Sequence, residues 1–150
     1  MKREQILSTY GSAIREHSLT VRFSEKGKTY VGVNKDASMI LEYSPDQMTN
    51  FQRSGRGRCD RLFFKTEGDQ AVYLVELKGG DLRRAIQQIC ETYEDMITPY
   101  HKTILCLAPV HARVVARCGV PKGAKVHELA KLRSMVTSLL IRKNRFEESI

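Results

Sequence analysis

The 150-residue chain has no tryptophan, only four prolines and ten glycines, and few aromatic side chains, 7% in all. That scarcity of Pro and Gly excludes a collagen-like or low-complexity chain. Long hydrophobic runs are missing too. The longest, Ile104 to Val110, contains Pro109 and falls far short of the ~20 apolar residues a membrane span needs, so no membrane partner is expected. Behind Met1 to Gln5 there is no apolar stretch and no small-residue cleavage site. No secretory signal is read there, and the expected compartment is the cytoplasm. The cysteines, Cys59, Cys90, Cys106 and Cys118, include no C-x-x-C pair and no histidine at ligand spacing. That argues against a zinc site or a dithiol motif and leaves buried thiols as the expectation. A nucleophile pair drawn from His101, Cys106 and His111 has no local support.

What the chain does contain is ordinary globular composition, 41% apolar and 28% charged, at a length suited to one domain spanning residues 1–150. Charge is distributed unevenly. Residues 1–50 carry seven basic and six acidic side chains and residues 51–100 eight of each, whereas residues 101–150 carry ten basic against three acidic. Nearly all of the net +8 therefore lies in the last third. A further basic cluster, Arg53, Arg56, Arg58 and Arg61, sits in a glycine-containing segment. Such fields attract phosphate backbones and make binding depend on salt; a merely solvated basic face accounts for the same composition.

Apolar spacing predicts a helix over residues 2–17 through Ile6, Leu7, Tyr10 and Ile14, with Gly11 as its weak point. Strands are predicted at 19–23 and 28–33 around the turn Glu25-Lys26-Gly27, and another at 39–43, followed by a loop over 44–58. Residues 61–65 and 71–78 form a predicted hairpin across Thr66 to Gln70. Asp81 is positioned to cap a helix reaching about Met96, with Leu82, Ile86, Ile89 and Tyr93 on one face. Further strands are expected at 102–107, 112–116 and 138–143, and a helix at 125–138 with Val126 and Leu129 on its apolar stripe. That order implies an α/β chain, one mixed β-sheet core flanked by helices on its faces.

Three charged residues interrupt the apolar centre. Asp60 precedes the first hairpin strand, and Glu76 and Lys78 end the second. Period-two alternation puts Glu76 and Lys78 on one face, and the hairpin brings Asp60 opposite them. Two converging carboxylates make a hard oxygen site suited to Mg²⁺ or Mn²⁺, and a neighbouring lysine can orient water or offset phosphoryl charge. A solvated ion pair at a sheet edge is the plainer alternative. Against it stand the apolar strand before Glu76 and the pair Gly79-Gly80 after Lys78, which leaves room for a ligand. Gln87 and Gln88 follow on the next helix, within reach of the same mouth.

The segments Arg58-Cys59-Asp60-Arg61-Leu62-Phe63-Phe64 and Val75-Glu76-Leu77-Lys78-Gly79, continued through Ala85-Ile86-Gln87-Gln88, resemble the PD-(D/E)xK nuclease superfamily, in particular small bacterial or phage nuclease-like proteins. That resemblance implies a restriction endonuclease-like fold. It implies Asp60 and Glu76 as ligands of a divalent metal, the Leu77 carbonyl as a further ligand, Lys78 as the catalytic lysine and Gln88 beside the site. A glutamate from the first helix, Glu4 or Glu16, is a candidate addition. Cys59 stands where the superfamily's name has proline, and Thr92 stands where one branch has tyrosine. The implied function is a metal-dependent nuclease acting on nucleic acid, DNA ahead of RNA, as a possible homodimer. Arg53, Arg56, Arg58, Arg142, Lys143 and Arg145 are the expected backbone contacts. The alternative is a non-catalytic nucleic-acid-binding module or accessory subunit of the same fold. A metabolic enzyme lacks any phosphate-cradling glycine loop to support it.

Overall fold

A computed structural model describes residues 1–117 and 127–150. Cys118, and Lys125 and Val126 at the start of the helix expected over 125–138, lie outside the described residues. In chain order the elements are α1 (Arg3–Tyr10), β1 (Arg15–His17), β2 (Thr20–Glu25), β3 (Lys28–Val33), β4 (Ile40–Tyr43), β5 (Arg61–Lys65) and β6 (Ala71–Lys78). They continue with α2 (Leu82–Thr92), a π-helical turn (Tyr93–Ile97), β7 (Val110–Ala116), α3 (His127–Met135), β8 (Ser138–Lys143) and β9 (Arg145–Ser149). None of the described helices is long and apolar enough to cross a membrane.

The fold is mixed α/β, and the sheet expected to be single is two. Six strands run in the order β1-β4-β5-β6-β7-β8, antiparallel as far as β6 and parallel from β6 to β8. The second sheet, β2-β3-β9, pairs β3 with β9 in parallel. Alternation along the central strands feeds two cores. Leu62, Phe64, Val72 and Leu74 pack with Ile6 and Tyr10 of α1, Ile86 and Ile89 of α2, and Leu129 and Leu132 of α3. Phe63, Tyr73, Val75 and Leu77 pack instead with Val21, Tyr30 and Phe146 of the second sheet. The described helices thus cover one face of the large sheet, and the small sheet covers the other. This accounts for strands whose residues are buried on both sides. Arg113 on β7 crosses between the sheets to Glu148 on β9 at 2.5 Å, where the Tyr30 hydroxyl also donates to Glu148 at 2.9 Å.

Two expected elements change. The first helix stops at Tyr10, because Gly11 takes φ 82°, ψ −167°, a region open essentially to glycine alone. Residues 15–17 then form an edge strand, with Arg15 opposite Glu42 and His17 opposite Ile40. The run Lys102 to Leu107 forms successive turns instead of a strand: the Tyr100 carbonyl accepts from Ile104 and Leu105 N–H, and Cys106 and Leu107 have positive φ. Its apolar residues do not alternate, and Leu105 is fully buried while Leu107 is exposed. Sequence reading missed β9, a charged strand entered through Asn144 at φ 58°. The expected cap forms, the Asp81 carboxylate accepting from Arg84 N–H at 2.9 Å, but the α-helix it starts ends at Thr92 and passes into the π-helical turn before the expected end near Met96.

Gly11→Ala should lower stability by about 1–3 kcal/mol, since the new Cβ forces φ away from this region. Urea unfolding of the two proteins measures it, and an unchanged midpoint would show that the α1 terminus tolerates an L side chain.

Candidate active site

Antiparallel pairing of β5 and β6 sets Arg61 opposite Val75, so the next pair outward is Asp60 and Glu76. Their carboxylates are held reciprocally by main chain. Asp60 N–H donates to Glu76 Oε2 at 3.0 Å, and Leu77 N–H donates to Asp60 Oδ2 at 2.7 Å. Each acid therefore keeps its second oxygen for other partners. In an extended strand the N–H and C=O of one residue leave the same edge, so the Leu77 carbonyl also faces the Asp60 side of β6.

Lys78 projects from the same face as Glu76. Its Nζ lies 3.6 Å from Glu76 Oε1 and donates to Gln88 Oε1 at 2.8 Å. Gln88 on α2 in turn donates from Nε2 to the Arg58 carbonyl at 2.8 Å, tying the lysine to the segment that carries Asp60. Gln87, expected near the same mouth, turns away to Glu91 at 2.8 Å. A Cβ built on Gly79 or Gly80 meets nothing within 4 Å, so the mouth beyond Lys78 is open.

Electrostatics make this cluster costly. Glu76 is 1% exposed; burial, and then the Asp60 charge, push its carboxyl up to about 8, against the opposing pull of Lys78. Burial raises Asp60 as well, offset in part by the Leu77 N–H. Two converging carboxylates share one lysine, which leaves the group short of positive charge. Among the described residues, no set of three or more His, Cys, Asp and Glu side chains is arranged to hold a metal ion. Two carboxylates and a main-chain carbonyl are the protein oxygens on offer.

The other expected residues disperse. Glu4 is exposed on α1, and Glu16 sits on β1, bonded to Arg3 at 2.5 Å. Besides Glu76, the charges of Glu25, at the β2–β3 turn, and of Asp46 bear on Asp60; sequence reading singled out neither. The turn holding Glu25 was legible, but its approach to Asp60 depends on how the second sheet packs. Arg61 bridges that gap, its guanidinium 3.9 Å from the Phe23 ring of β2.

Arg58 is a correction. It is 4% exposed, with its guanidinium on Asp95 at 3.1 Å and on the carbonyls of Gly57 and Phe51; a backbone lying across the surface does not reach it. Arg53 and Arg56 also bond Asp95, at 3.2 and 2.8 Å, but remain partly accessible. Arg142, Lys143 and Arg145 are exposed, and Arg145 pairs with Glu147 at 2.8 Å. Register aligns Lys78, Ala116 and Lys143 across β6, β7 and β8, so Lys143 shares a row with the candidate site. Arg117 extends that end of the sheet, its N–H donating to the Lys78 and Gly79 carbonyls. It lay inside the basic last third without any local motif to mark it.

Cysteine expectations divide. Cys59 and Cys90 are buried, and desolvation raises both thiols, whereas Cys106 is exposed. His101 bonds the Ala108 carbonyl and His111 the Ser138 hydroxyl, so no Cys–His pair forms among them. A cavity of about 730 Å³, lined in part by Lys65, Ala71, Tyr73 and His111, lies at the far end of β6 from these carboxylates.

Because folding raises Glu76 above its ordinary 4.5, the metal-free fold binds its proton more tightly than the unfolded chain does. This contribution to stability is complete below pH 4.5 and disappears as pH rises through about 8. Glu76→Gln should therefore gain on the wild type across that window, with a slope of up to about 1.4 kcal/mol per pH unit. Denaturant titrations at several pH values in EDTA measure it; a difference independent of pH would refute the shift. Comparison with protein-family models, curated proteins and solved structures returns no match to the chain.

Proposed function

We propose that the protein is a metal-dependent phosphodiester hydrolase acting on nucleic acid, DNA ahead of RNA, with a restriction endonuclease-like core of the PD-(D/E)xK type. One observation carries the reading: Asp60 and Glu76, each anchored through one oxygen, present the other beside Lys78 at the open end of a buried strand. A surface ion pair has no need of burial or of a glutamine holding its lysine. The hairpin order, with Asp60 before one strand and Glu76-Leu77-Lys78 ending the next, also matches the motif on which the resemblance rests.

The donor set fits a hard divalent cation such as Mg²⁺ or Mn²⁺. Carboxylate and carbonyl oxygens suit these ions, and Mg²⁺ keeps several waters, so few protein ligands suffice. Asp60, Glu76 and the Leu77 carbonyl would hold it, and its positive charge would favour the ionised form of Glu76. When bound, such an ion supplies Lewis-acid stabilisation of charge developing on the phosphoryl oxygens. The chain's own residues do the remaining work. Lys78 Nζ donates to the attacking water or to the phosphoryl oxygen. Gln88 positions that ammonium, and the Gln88–Arg58 carbonyl bond keeps Lys78 in step with Asp60. The basic row at the carboxyl ends of β6 to β8 is suited to a phosphate backbone, positioning it without reading bases. Cutting both strands of a duplex at once would call for two copies of so small a domain.

Incubating the protein with supercoiled plasmid and with labelled single- and double-stranded oligonucleotides, in Mg²⁺, Mn²⁺ or EDTA, tests the reading. Cleavage should require metal, and both Glu76→Ala and Lys78→Ala should reduce it at least ~100-fold while Lys78→Ala leaves binding largely intact. Wild-type cleavage by Lys78→Ala would remove that residue from the mechanism. Binding without cleavage in any metal would favour the accessory-module alternative.

Replacing Arg142, Lys143 and Arg145 together should weaken DNA binding and reduce the slope of log K against log salt by about 0.9 for each phosphate no longer neutralised. An unchanged slope would make these residues solvent decoration.

A further inference from the structure

A second feature lies beside the carboxylates. Between the turn Pro45–Gln47 and the arginine loop is a pocket of about 280 Å³ lined by Asp46, Gln52, Arg53, Ser54, Arg56 and Arg58. The guanidinium groups of Arg53 and Arg56, an amide and a hydroxyl supply its accessible donors, Arg58 lies buried behind them, and Asp46 is its single acid.

The arginines are ordered in advance. Asp95, itself buried, is presented by the π-helical turn; its Oδ1 takes Arg53, and its Oδ2 takes Arg56 and Arg58. One carboxylate does not offset three cations, and Glu94, the next acid, divides itself between Arg56 and Lys131. Donors are in surplus as well. A guanidinium has five N–H groups, and Arg53 and Arg56, unlike Arg58, keep part of theirs accessible. Rigid, planar, positively charged forks around a small cavity match the oxygens of a phosphate group.

The location gives the pocket a role. Arg58 lies two residues before Asp60, and its carbonyl holds Gln88. Asp46 lines the pocket from the turn that follows β4, the strand paired with the β5 strand that Asp60 precedes. The pocket therefore adjoins the candidate active site, whereas the row from Lys78 to Lys143 leads away along the sheet end.

We propose that this pocket binds one phosphate group of the nucleic acid, next to the bond presented to Asp60, Glu76 and Lys78, an assignment that rests on the proposed nuclease function. The group is either an internal phosphodiester or a terminal phosphomonoester; both offer the same oxygens, and the test separates them.

Inorganic phosphate is titrated into the metal-free protein while the arginine Nε–H resonances are followed. Saturable shifts are expected at Arg53 and Arg56, with affinity about tenfold weaker in Arg53→Ala and tighter in Asp46→Asn. Arg53 is two-thirds exposed along its side chain, so its truncation leaves the core intact. Absence of a saturable shift, or equal affinity in all three proteins, would overturn the pocket. Short DNA with and without a terminal phosphate is then bound to wild type and to Arg53→Ala. A loss of about tenfold on removing the terminal phosphate, erased in the variant, assigns the pocket to a strand end. Equal binding of the two DNAs, both weakened by Arg53→Ala, assigns it to an internal phosphate. Wild-type binding of both by the variant would overturn the proposal. None of these readouts involves cleavage: phosphate binding without metal-dependent cutting would defeat the nuclease reading alone, and cutting without phosphate shifts would defeat the pocket alone.

Discussion

The pairing register of β5 and β6 is the constraint on which the candidate site depends. With Arg61 opposite Val75, the next pair brings Asp60 and Glu76 together and points Glu76 and Lys78 toward α2. A slip by one residue would turn Glu76 into the apolar layer beneath the small sheet and bring Leu77 to the mouth. Such a slip is opposed from both sides, because Phe63 and Phe64 fill different cores and neither can change face without emptying one. Hydrophobic burial on two faces therefore holds in place a pair of carboxylates that would otherwise repel.

The stretch of chain before β5 is held just as closely. Each residue from Arg56 to Cys59 bonds to α2 or its π-helical turn: Arg56 to Glu94 and Asp95, Gly57 N–H to Glu91, the Arg58 carbonyl to Gln88 and Cys59 N–H to Thr92. Asp60 thus reaches Glu76 from a segment fixed to the same helix that holds Lys78. The wider π turn is a frequent feature of functional sites. Here it presents Asp95 to three arginines, and the glycine at 57 fits because a Cβ would press on the Gln88 side chain at 2.8 Å.

Much of the site was legible because its signals are local. Asp60, Glu76 and Lys78 stand out as charges at the ends of apolar strands joined by a short turn, and alternation alone puts the last two on one face. Gln88 follows from helix spacing after Asp81. The fate of the arginine loop was not legible, since Arg58 and Arg53 look alike in sequence and differ only through burial against Asp95, 37 and 42 positions away. Glu25 and Asp46 escaped notice for the same reason, and β9 did because its charged residues pair with β3 across more than 100 positions.

By itself the sequence determined one α/β chain, the β5–β6 hairpin, the capped helix behind it and the charges that meet at its mouth. These depend on periodicity, turn chemistry and capping, which act over a few residues. Only the tertiary structure decided that the strands divide into two sheets, that the described helices share one face, and that Gly11 ends α1. It also decided which basic residues face solvent and which are committed to internal ion pairs. Those outcomes depend on long-range packing, where burial assigns different partners to side chains of the same kind.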